Sequence, residues 1–207
     1  MQMNIQLKEL RYDSLTETIR QLCKEKGYNL SVYAFGSGLG KFQEEITTDY
    51  DMLILGPKEE AECLKKDLAK KISEIFSAEI PFRESMLKKN PGYPYIHFQH
   101  YKDEQEWLNE DGPAVINSVL SENEILHGQP LQTKKIPITN KTDVLGLLEK
   151  YLAIVNESGD DEHKKDFFSY VNKTVSQLLK NYPQFKDDLV ELYEKAKNTL
   201  IKNKGGE

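Results

Sequence analysis

The sequence is poor in cysteine and tryptophan, has no excess of positive charge and contains no long apolar run. Each shortage removes a class of protein. Its two cysteines, Cys23 and Cys63, fall in amphipathic helical patterns where a small apolar residue fits. They read as two buried, reduced thiols rather than as a disulfide or a metal pair. No stretch approaches the roughly eighteen consecutive apolar residues that a bilayer span needs. The opening MQMNIQLKEL has no basic flank followed by an apolar block, so it does not read as a secretory signal. The expected compartment is therefore the cytoplasm, with no membrane partner. A net charge of −6 also makes long nucleic acid a poor partner, because phosphate binding calls for a basic surface.

What is present is an ordinary globular composition, 38% hydrophobic and 30% charged over 207 residues, enough for one large domain or two small ones. Ser14-Leu15-Thr16-Glu17 has the form of a capping box at a helix start. Leu15, Ile19, Leu22 and Cys23 then recur at helical spacing, and Gly27 is a natural stop. Leu30 to Phe35 is β-rich and runs into Gly36. The apolar run after Asp51 predicts a strand covered on both faces. Leu64, Leu68, Ile72, Ile75 and Phe76 make one face of a second helix. AEIPFRESML and YPYIHFQHY read as two strands joined at Pro91-Gly92, and a short helix follows over 114–120.

Residues 131–141 carry the sequence's pattern-free, proline-containing stretch and read as a linker. Beyond them only helical periodicity remains. Phe167, Phe168, Tyr170, Val171, Val175, Leu178 and Leu179 fall at core spacing for a bundle. The expected fold class is α+β: a mixed sheet with flanking helices over 1–130, then an all-α helical domain over 142–204.

The stretch YAFGSGLGKFQEEITTDYDMLIL, Tyr33 to Leu55, concentrates the chemistry. A Walker phosphate loop fails on spacing, since three residues rather than four separate Gly36 from Gly40 and Phe42 follows Lys41. The dinucleotide pattern GxGxxG fails too, with glycines at 36, 38 and 40. The aspartates fit better. In a strand, residues i and i+2 share a face, so Asp49 and Asp51 present two carboxylates side by side. Such a pair repels itself unless a cation intervenes. Mg²⁺ suits it, since that ion takes one or two carboxylates and completes its shell with water and phosphate oxygens. Gly36 lets a phosphate approach the backbone, Ser37 offers a hydroxyl and an amide, and Lys41 can reach a polyphosphate.

Gly36-Ser37, eleven residues, then Asp49-Tyr50-Asp51 before MLIL resembles the signature of the DNA polymerase β-like nucleotidyltransferase superfamily. The resemblance covers roughly the first 130 residues in element order. SVLSENEILHGQPL is similar to the segment that closes the domain in small members, and a trailing helical domain is common there. The resemblance implies transfer of a nucleoside monophosphate from an NTP, with ATP the first donor to consider, to a hydroxyl. Two Mg²⁺ ions are implied at the phosphates. The acceptor is a small molecule or a protein side chain, and a homodimer stays open. The alternative expectation is a relative that binds a nucleotide or a protein partner without turnover.

Members normally add a third acid on a later strand, flanked by apolar residues. Here the matching slot, Ile96-His97-Phe98, holds a histidine. Glu84 from the preceding strand, the early Glu79, and His97 acting as a base compete for the role. Arg83, Lys88 and Lys89 near the second hairpin could neutralise phosphate charge but read first as plain surface, Trp107 as a packing anchor, and Asp160 to His163 as acids at a helix start.

Overall fold

The structure is a computed structural model that describes residues 9–36, 39, 44–46, 49–84, 94–157, 171–172, 175–176 and 178–202. Ser37, Lys41, Lys88, Lys89, the Pro91-Gly92 turn, Phe167, Phe168, Tyr170 and Asp160 to His163 lie outside the described residues. The fold is mixed α+β, built on a five-stranded mixed sheet.

Helix α1 (Tyr12–Lys26) begins two residues before the expected capping box. Its N-cap is Arg11, which makes no side-chain cap. What fixes the start is tertiary: Arg11 bridges to Glu45, and the Tyr12 amide donates to the Glu44 carbonyl at 3.3 Å. Ser14 and Thr16 therefore lie inside the first turns. Gly27 ends the helix with φ +65°, its amide donating to the Cys23 carbonyl. Strands β1 (Ser31–Phe35) and β2 (Asp49–Leu55) pair antiparallel, and helix α2 (Lys58–Phe76) follows.

Strand β3 is only Phe82–Arg83, and β4 (Tyr95–Tyr101) runs parallel to both β2 and β3. The two segments on either side of Pro91-Gly92 are thus not a hairpin. Helix α3 (Glu104–Glu110), absent from the sequence reading, follows, then α4 (Pro113–Ser121). Strand β5 (Asn123–His127), also unforeseen, pairs antiparallel with β1 and completes the order β3-β4-β2-β1-β5. Gly128 allows the exit from β5: with φ +85°, a Cβ there would lie 2.5 Å from the Leu30 carbonyl oxygen.

One face of the sheet carries the core. Val32, Ala34, Tyr50, Met52, Ile54, Ile96 and Phe98 pack with Leu15, Ile19 and Leu22 of α1 and Leu64, Leu68 and Ile72 of α2. The opposite face buries Tyr33, Leu53 and Tyr95, so β2 is covered on both sides along its later half. Trp107 is fully buried, and Cys23 is buried while Cys63 is exposed. Only the first of the two expected buried thiols is therefore in the interior.

Chain contacts define two compact units: residues 1–107 with 118–134, and residues 108–117 with 135–207. The boundary at 134/135 falls inside the segment expected to be a linker. In the second unit the Asn117 side chain clasps the Ile136 backbone, donating to its carbonyl and accepting from its amide, both at 2.7 Å. Helices α5 (Thr142–Glu157) and α6 (Lys186–Lys202) belong to this unit. Val144, Leu148, Val171, Val175, Leu178 and Leu189 are buried. Among the described residues, no helix is long and apolar enough to cross a membrane.

Candidate functional site

Aspartate is a poor strand former, so two of them opening β2 need support from neighbours. That support comes from register. Asp51 stands opposite Phe35 on one side and His97 on the other, while Asp49 stands opposite Tyr95. Arg83 of β3 is the next partner of His97. One row across four strands therefore reads Phe35, Asp51, His97, Arg83, with Asp49 and Tyr95 two residues earlier on the same face. Adjacent rungs lie about 4.8 Å apart, and the α-carbons of i and i+2 about 6.6 Å apart.

Each carboxylate has a distinct environment. The His97 Nδ1 lies 3.0 Å from Asp51 Oδ1, and because a carboxylate oxygen accepts, the ring N–H is the donor. The Asp51 side chain is 16% exposed and that of His97 8%. Asp51 Oδ2 faces the bend after β1. Gly36 has φ +82°, and a Cβ built there would lie 2.3 Å from that oxygen. The glycine is required twice, for a left-handed backbone and for the space its missing side chain leaves to the carboxylate. Asp49 Oδ2 accepts from the Tyr95 hydroxyl at 3.5 Å, and its carbonyl accepts from the Tyr12 hydroxyl at 3.4 Å.

Arg83 does not lie on a plain surface. It is 5% exposed, donates from Nη1 to the Tyr95 hydroxyl at 3.3 Å, and sits 5.6 Å from that ring's centroid. Tyr95 did not stand out in the sequence, and Arg83 did so only as one of three basic residues near the Pro91-Gly92 turn. The usable signal was parity, because Tyr95 precedes His97 by two and so shares its face.

Behind the site, Tyr50 points into the core. Its hydroxyl meets the Thr16 hydroxyl at 2.7 Å, and its ring stacks on Tyr12 at 6.0 Å. Burial raises the Tyr50 phenol well above its ordinary range, so it stays protonated. A small pocket lined by Tyr12, Thr16, Phe35, Tyr50, Asp51 and Glu124 opens beside the bend.

The structure thus brings Gly36, Asp49, Asp51 and His97 together. It does not bring Glu84 to them. Phe82 packs against the α2 core and Glu84 shares that face, ion-paired with Lys65 of α2. Glu79 is exposed before β3. His100 is a strand residue whose Nε2 donates to the Gly56 carbonyl at 2.9 Å.

Among the described residues, no group of three or more His, Cys, Asp or Glu side chains is set to hold a metal ion. The donors that do fit a hard cation are the Asp49 and Asp51 carboxylates, with the remaining positions left to water and substrate oxygens. In comparisons with known proteins, the sequence matches no family model and no curated protein.

Proposed function

We propose that this chain is a Mg²⁺-dependent nucleotidyltransferase that moves a nucleoside monophosphate from an NTP to a hydroxyl of a small molecule or a protein. The observation that carries the reading is the contact between the Gly36 bend and the Asp51 carboxylate, with Asp49 beside it on one face. The left-handed bend seats the Asp51 carboxylate against backbone, with Asp49 on the same face, where a divalent ion can bridge the acids to a polyphosphate. When bound, that ion neutralises phosphate charge and polarises the phosphorus under attack.

The chain's own residues divide the remaining work. Asp49 and Asp51 are the anionic ligands. Tyr95 and His97 orient them from the neighbouring strand. Ser37 and Lys41 enter as phosphate contacts on the sequence pattern alone. The acceptor oxygen forms a bond to the α-phosphorus as the bond from that phosphorus to the bridging oxygen breaks. Pyrophosphate leaves, and the hydroxyl proton passes to a base. His97 occupies the slot of a third acid and is the described base on this face.

The test is pyrophosphate release with Mg²⁺, each of the four NTPs, and a panel of hydroxyl acceptors including proteins. Release that depends on both an acceptor and Mg²⁺ is the expected result. A second reading, nucleotide binding without turnover, draws on the same His97–Asp51 contact, since a histidine replaces the expected carboxylate. Binding of a nucleotide with no release across the whole panel selects it.

A further inference from the structure

We infer that this site works with a single divalent ion, and that His97 and Arg83 occupy the positions where a second ion would need anionic ligands. The inference rests on the nucleotide reading above and concerns how that site is charged.

A two-metal site holds its ions roughly 3.5–4 Å apart and needs carboxylate oxygens bridging or flanking both. Along the row from the glycine bend, the anionic groups end at Asp51. The next rung is the nitrogen-bearing His97, whose Nδ1–H already engages Asp51 Oδ1. Hard Mg²⁺ prefers oxygen, so this rung is a weak ligand for it.

The rung after that is Arg83, buried and permanently cationic, set against Tyr95, whose hydroxyl reaches Asp49. Among the described residues, a second dication on this side would have no carboxylate of its own, and it would lie within about two strand spacings of a fixed positive charge. Glu84, the acid nearest in sequence, is turned to the other face and held by Lys65. The guanidinium supplies instead a fixed counter-charge for a polyphosphate, the role a second ion plays elsewhere.

The experiment counts Mn²⁺ bound to the full chain. The protein is loaded with Mn²⁺ and each of the four α,β-methylene NTP analogues, and electron paramagnetic resonance reads the number of ions and their magnetic coupling. One uncoupled Mn²⁺ per bound nucleotide is expected for the wild type. His97→Asp, or His97→Asp with Arg83→Gln, is expected to raise the count to two and to produce a coupled pair.

Two coupled ions in the wild type overturn the inference and leave the nucleotide reading standing. A count that stays at one in both variants, each shown folded by its thermal transition, overturns the assignment of the count to these residues. No retained Mn²⁺ with any analogue removes the nucleotide reading itself.

Discussion

Tyr50 and Asp51 are neighbours in sequence and face opposite ways through the sheet. Tyr50 enters a core shared with α1 and α2, its hydroxyl satisfied by Thr16. Asp51 faces a bend, a histidine and partial solvent. Along its first half the same strand buries apolar side chains on one face and carries two carboxylates on the other. The difference shows how the fold supports acids in a strand that local preference disfavours: a filled apolar face holds β2 in place, so its other face can carry charge.

The comparison breaks most visibly from the packed side. Met52→Ala, at a fully buried site next to Asp51 and between Ala34 and Phe98 on the neighbouring strands, is expected to cost about 2–5 kcal/mol in denaturant unfolding. The protein that remains folded should keep its nucleotide affinity. Gly36→Ala tests the other side. Left-handed strain costs about 1–2 kcal/mol, and the new methyl must displace Asp51, so nucleotide binding should fall much further than stability does. Gly27→Ala is its control: φ is +65° but the space around it is open, so strain of about 1–2 kcal/mol should appear with binding intact.

Thr16→Val removes the Tyr50 partner and should cost about 1–3 kcal/mol, again without touching the site. The smallest effect is on the pH profile. Burial pushes the Cys23 thiol up to about 11 from 9.0 and raises the Tyr50 phenol, so the folded state holds protons that the unfolded state releases. Stability should therefore decline as pH rises from about 9 towards 11. At pH 8, native protein should be alkylated at the exposed Cys63 and spared at Cys23.

Much of the first unit was legible. Local signals with one dominant cause, such as the Leu64-Leu68-Ile72 stripe, the Gly27 stop and the Asp49/Asp51 parity, needed no tertiary knowledge. Elements fixed by partners were not legible. The start of α1 is set by Glu44 and Glu45 rather than by Ser14, and β5 is a short strand with one buried residue, made by pairing with β1.

The site divided the same way. The acid pair could be read from alternation. Arg83 could not, because β3 is two residues long and gains its place beside His97 only through parallel pairing with β4. Glu84 was misplaced for the same reason: one residue of register decides which face of a sheet a side chain occupies.

The central claim is that the glycine bend and the two aspartates bind a metal–polyphosphate. Thermal unfolding with Mg²⁺ and each NTP, for wild type and for Asp49→Asn with Asp51→Asn, tests it most directly. Wild type should gain roughly 2.7 kcal/mol at a hundred times the dissociation constant of the preferred nucleotide. The double variant should melt cooperatively and gain nothing. A nucleotide-dependent gain that survives in the double variant, or none in wild type with any of the four NTPs, contradicts the account.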